Sequence, residues 1–93
     1  ETLYRDCLAR RKETLGPDNP VTLNTMFNFG NFLFNPKQDY EEAMELLHEC
    51  WSRRKDILGA NHSDTIRTRQ VIQGRLNNLQ RRGIQLSKNF QTY

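Results

Sequence analysis

The chain has 93 residues, with 14 Lys or Arg against 11 Asp or Glu, a net charge of +3 and a mean hydropathy of −0.87. That length holds one small domain with a limited core, and no apolar run approaches the roughly 18 residues of a membrane-spanning helix. Two cysteines and two histidines, without zinc-ligand spacing, exclude a metal-stapled or disulfide-rich class.

The opening "ETLYRDCLARR" has no initiator Met and no signal-peptide apolar stretch, so the chain is expected to be part of something longer. A first helix is predicted over about 1–15. Leu3, Cys7, Leu8, Arg11 and Leu15 follow a 3.6-residue spacing, and Gly16-Pro17 stops it. In "GPDNPVT", Asn19 suits an N-cap and Pro20 the first helical position of a second helix, over about 20–34. Met26, Phe29, Gly30 and Leu33 form its apolar stripe, and Pro36 pushes Asn35 out of the helical region.

A third helix is predicted over about 40–58, presenting Ala43, Leu47, Cys50, Trp51, Arg54 and Leu58 and ended by Gly59. The fourth, over about 63–82, has Ser63 as its expected N-cap and carries Ile66, Ile72, Leu76 and Leu79. It is expected to fray by Gly83, leaving 83–93 as a cap or tail with Ile84, Leu86 and Phe90. No segment alternates at period two, so the chain is all-α.

The chain also repeats itself. Laying Leu3–Phe34 over Leu46–Asn77 gives ten identities, among them Cys7/Cys50, Arg11/Arg54, Gly16/Gly59, Thr22/Thr65 and Thr25/Thr68. A fixed period of this size signals stacked helical units, since a single helix pair cannot bury its apolar stripe alone. Cys7 and Cys50 are therefore about one unit apart, beyond disulfide reach, and read as small packing residues of a reducing compartment.

"GPDNPVTLNT", followed by "NFGNFLF" and then "YEEAMELLHEC", resembles the long tetratricopeptide repeat of kinesin light chains. The ordinary tetratricopeptide period is 34 residues, and the light-chain type is about eight longer. A HEAT or armadillo unit has a similar period but does not account for Tyr40-Glu41-Glu42-Ala43. The resemblance implies a tetratricopeptide-like superhelical stack of antiparallel helix pairs, a fragment or the end of a longer array. It makes Gly30 and Ala43 the small residues at a close helix crossing, with Gly16 and Gly59 as helix-ending turns. The sequence departs from the pattern where Gly30 becomes Gln73 and where no Tyr-x-x-Ala follows Leu79.

Function follows from the same resemblance. The first helix of each pair lines a concave groove, and the asparagine before Phe29-Gly30, Asn28, is a recurrent peptide-backbone contact. Asn24 and Asn31 share its face by helical geometry, and the next unit offers Arg67, Gln70 and Val71. Carboxamides with a guanidinium suit a protein or peptide segment of acidic character. No cofactor or metal is expected, and no nucleophile or phosphate-cradling loop points to an enzyme.

The alternatives are a structural subunit of a large assembly, or RNA binding through Arg67, Arg69, Arg75, Arg81, Arg82 and Lys88, a stretch without acids. The lack of aromatics between Arg67 and Arg82 disfavours RNA. The expected location is cytoplasmic, with the cytoskeleton as one setting. The unpartnered first helix is expected to expose Leu3, Tyr4 and Leu8 and to drive self-association.

Overall fold

A computed structural model describes residues 2–86. The chain forms four α-helices in this order: α1 (Thr2–Thr14), α2 (Pro20–Phe34), α3 (Tyr40–Leu58) and α4 (Ser63–Arg81). Several of the helix ends have a local chemical reason. Asn19 accepts from the Val21 N–H ahead of Pro20 and so caps α2. Asn35 is extended at the end of α2, consistent with the restriction Pro36 places on it. Gly16 and Gly59 both sit at φ +94, a conformation a Cβ disfavours.

Two boundaries differ from the sequence expectation. The N-cap of α4 is His62, not Ser63: the His62 Nδ1 accepts from the Asp64 N–H at 3.1 Å, and Ser63 is the first helical residue. The other is Gly83, which closes α4 rather than letting it fray. Gly83, at φ +71, donates to the Gln80 carbonyl, and Ile84 donates to the Leu79 carbonyl. This is the Schellman pattern, in which the chain turns back over the last helical turn. Ile84 and Leu86 then pack against the buried cluster; Phe90 and Lys88 lie outside the described residues.

Residue pairs fix the helix directions. Tyr4 stacks on Phe29 at 5.5 Å while Arg11, at the other end of α1, donates to the Thr25 hydroxyl, so α1 and α2 are antiparallel. Cys50 meets the Leu23 carbonyl and Gly30 meets Leu47, so α2 and α3 are antiparallel too. Arg5 to Glu42 and Lys12 to Glu49 bridge α1 and α3 in parallel. The helices thus form two layers, α1 with α3 and α2 with α4.

The core lies between the layers. Met26, Phe29, Leu33, Ala43, Met44, Leu47, Cys50 and Ile72 are buried there, each contributing through apolar surface removed from water. Leu8 is buried and Tyr4 half-buried against Phe29 and Phe32, so of the three residues expected to be open on α1 only Leu3, at 84% exposure, is. Leu15 and Leu58, expected on packing stripes, are exposed: Leu15 lies just past the last residue of α1, and Leu58 is the last residue of α3.

Gly30 sets how closely α2 and α3 approach. A Cβ there would lie 2.9 Å from Leu47 Cγ, 3.0 Å from Leu47 Cδ2 and 3.4 Å from the Ala43 carbonyl oxygen. The obstacle is thus the Leu47 side chain first and the Ala43 backbone second. Gly30→Leu is expected to cost about 1–3 kcal/mol by overpacking. Gly74, whose added Cβ would meet nothing within 4 Å, should gain up to about 1 kcal/mol as Gly74→Ala. Urea midpoints of the two variants check the contrast, and equal midpoints would contradict it.

Candidate functional site

α2 and α4 lie side by side in one layer with a groove of about 580 Å³ between them. α2 contributes Asn24, Phe27, Asn28 and Asn31; α4 contributes Arg67, Val71, Gly74, Arg75, Asn78 and Arg81. The spacing explains the alignment. Residues 24, 28 and 31 fall one or two turns apart on α2, and 67, 71, 74, 78 and 81 do the same along α4. Asn24, Asn28, Asn31, Arg67 and Val71 therefore come together. Gln70 does not line the groove and is exposed beside it. Phe27, Gly74 and Asn78 are not singled out from the sequence, and Arg75 and Arg81 are named there only for the RNA alternative; the 67, 71, 74, 78, 81 spacing along α4 finds Gly74, Asn78 and Arg81 as groove residues.

The groove is built on a buried cation. Arg54, on α3, is 3% exposed. Its Nη1 donates to Thr68 Oγ1 at 2.8 Å and its Nη2 to Asn24 Oδ1 at 2.9 Å, with the guanidinium 5.3 Å from the Phe27 ring centroid. Thr68 in turn donates to the Asp64 carbonyl of its own helix, so its hydroxyl is used both ways. The same device occurs one repeat earlier, where Arg11 donates to Thr25 Oγ1 and Thr25 donates to the Val21 carbonyl. The repeated Arg and Thr identities are thus two copies of one inter-helix tie. The copies are not identical throughout: Thr22 donates to the Arg11 carbonyl, whereas the buried hydroxyl of the equivalent Thr65 has no hydrogen-bond partner among the described residues.

The charged members of the lining are all arginines, two of them over aromatic rings. Arg67 lies 5.6 Å from the Phe27 ring centroid and 3.9 Å from Asp64, and Arg75 lies 4.5 Å from the Phe34 ring centroid. Arg75 also donates to Asn31 Oδ1 at 3.2 Å. Among the described residues no carboxylate lines the groove. The acids gather elsewhere: Asp39, Glu41, Glu42, Glu45 and Glu49 border a second hollow along α3. There Arg5 grips Glu42 through both carboxylate oxygens at 2.6 Å.

Other reactive groups do not assemble. Among the described residues no three His, Cys, Asp or Glu side chains are placed to hold a metal, and no helix is long and apolar enough to cross a membrane. Cys7 and Cys50 are free thiols. Cys50 is buried and donates to the Leu23 carbonyl at 3.5 Å; burial pushes its pKa from 9.0 up to about 11, against a smaller opposing pull from Arg54.

A model of the family described as tetratricopeptide repeat matches residues 1–21 and 22–64. Among curated proteins and among solved structures, none matches the chain.

The raised Cys50 pKa has a measurable consequence. Folded Cys50 keeps a proton that the unfolded thiol loses, so its contribution to stability is complete below pH 9.0 and is lost as pH rises to about 11. Urea unfolding across this range should show that decline, and Cys50→Ala should flatten it. An unchanged slope in Cys50→Ala would contradict the assignment. Iodoacetamide at pH 8 should label Cys7 well before Cys50 in the folded chain.

Proposed function

The chain belongs to the tetratricopeptide repeat family, and from that premise we propose that it holds an acidic peptide or protein segment in the groove between α2 and α4. Tetratricopeptide repeats mediate protein–protein contacts and act as scaffolds rather than as catalysts. The finer assignment to the long repeat of kinesin light chains is supported by the 22–64 span of the second matched unit and by the "GPDNP" loop.

The observation that carries the reading is the charge of the lining. Arg67, Arg75 and Arg81 face the groove without a carboxylate among its lining residues, over a floor that holds the buried Arg54 guanidinium. A cleft lined by charge of one sign attracts the opposite charge and focuses it. Asn28, which makes no side-chain hydrogen bond among the described residues, sits midway along α2. It can both donate to and accept from a bound backbone. Phe27 and Val71 add apolar surface at the same level. An extended acidic segment meets all of these at once.

The same groove offers single-stranded RNA little to stack on. Among the described residues Phe27 is the one aromatic that lines it, and two guanidiniums already lie over that ring.

Binding of a fluorescent, capped glutamate-rich peptide tests the reading. Asn28→Ala together with Arg67→Glu should cost about 1–3 kcal/mol of binding free energy. Affinity unchanged in that double variant, or tighter binding of a uridine-rich RNA than of the peptide, would overturn it.

A further inference from the structure

The groove asparagines are not equivalent. Two of them are already held by arginines. Arg54 donates to Asn24 Oδ1 at 2.9 Å, and Arg75 donates to Asn31 Oδ1 at 3.2 Å. A guanidinium has five N–H donors and no acceptor, and it does not lose its proton. Each arginine therefore selects one orientation of its carboxamide, with the oxygen at the guanidinium and the NH2 turned away from it. Asn28 has no such restraint among the described residues.

We propose that Arg54 and Arg75 are positioning residues that preset Asn24 and Asn31 as hydrogen-bond donors, so that the groove reads acceptor oxygens on its partner. The inference rests on the peptide-groove reading and sharpens it. Along α2 the groove presents a donor at Asn24, a carboxamide free to donate or accept at Asn28, and a donor at Asn31. The outer two are about 10 Å apart along the helix, the length of about three extended residues. α4 adds the Arg67 and Arg81 guanidiniums opposite, again donors only. The partner that satisfies this surface is an extended segment presenting backbone carbonyls and side-chain carboxylates towards α2 and α4.

The arginines are suited to the role in different ways. Arg54 is held from below by Thr68 as well as by the Phe27 ring, so Asn24 is fixed to a buried anchor. Arg75 is half-buried over the Phe34 ring and reaches across from the neighbouring repeat. Gly74, beside it, has open space where a side chain would stand. Asn31 is consequently oriented by a residue on the opposite wall of the groove.

The test uses side-chain amide NMR of the 93-residue chain, titrated with capped hexaglutamate. Arg75→Met and Arg81→Met each remove one charge from the lining, but only Arg75 contacts an asparagine. The expected result is that the Asn24 and Asn31 NH2 signals move on binding. Arg75→Met should weaken binding about fivefold more than Arg81→Met and abolish the movement at Asn31. Equal weakening by the two variants would mean that the arginines supply charge alone, and would overturn the inference while leaving the groove intact.

The ligand-free chain provides a second readout. The Asn31 NH2 pair should change in Arg75→Met and stay in place in Arg81→Met; a pair unmoved in Arg75→Met overturns the positioning role. Hexaglutamate moving no groove signal in the wild type would overturn the peptide-groove reading instead, with the free-chain comparison still deciding the role of Arg75.

Discussion

The arrangement depends most on one guanidinium. Burying a cation without a carboxylate is costly unless its protons are otherwise satisfied, and Arg54 is 3% exposed. Two of its N–H donors go to Thr68 on α4 and Asn24 on α2, and its face goes to Phe27 on α2. Hydrogen bonds from a charged donor are worth about 1.5–3 kcal/mol each. One α3 side chain therefore fixes the relation of the two helices that form the groove. A slip of α4 along α3 would strand the charge, so the joint specifies register as well as adding stability.

That joint also explains how a small, rather polar chain supports a defined surface. The apolar core is concentrated between α2 and α3, where Gly30 lets Leu47 come close. α4 has fewer buried apolar residues, with Ile72 and Leu79 fully covered. Its attachment relies more on polar ties and on the Ile84 turn that closes over its last residues. The charges are distributed accordingly. Guanidiniums line the α2–α4 groove, while carboxylates collect along α3 and are partly neutralised by Arg5, Lys12 and Arg53. Positive and negative charge thus lie on different faces of the molecule.

Much of this was legible in the sequence because the helix ends are written in residues with few conformational options. Asn19-Pro20, Pro36, Gly16 and Gly59 each determine a local geometry whatever surrounds them. The His62 cap is legible from the repeat, since His62 occupies the place of Asn19; residue type and Asp64 in the first turn point instead to Ser63. Arg11 and Arg54 stood on apolar stripes without a reason, because a buried arginine is intelligible only once its acceptors are known. Those acceptors were in view as the repeated Thr25 and Thr68, but nothing local links an arginine to a threonine fourteen residues on. Arg75 is legible in the sequence only as one of a basic stretch; its place in the groove is not, for the same reason, because its contact with Asn31 crosses from one repeat to the next.

The central claim is that the Arg54 guanidinium joins α3 to α4 through Thr68. A double-mutant cycle of Arg54→Met and Thr68→Val, followed by urea unfolding, measures that joint directly. Met keeps the length and apolar stem of the arginine, and Val keeps the shape of the threonine. A coupling energy of about 1–3 kcal/mol between the two sites is predicted. Effects that add to within about 0.5 kcal/mol would show that the two residues act independently, and would contradict the account.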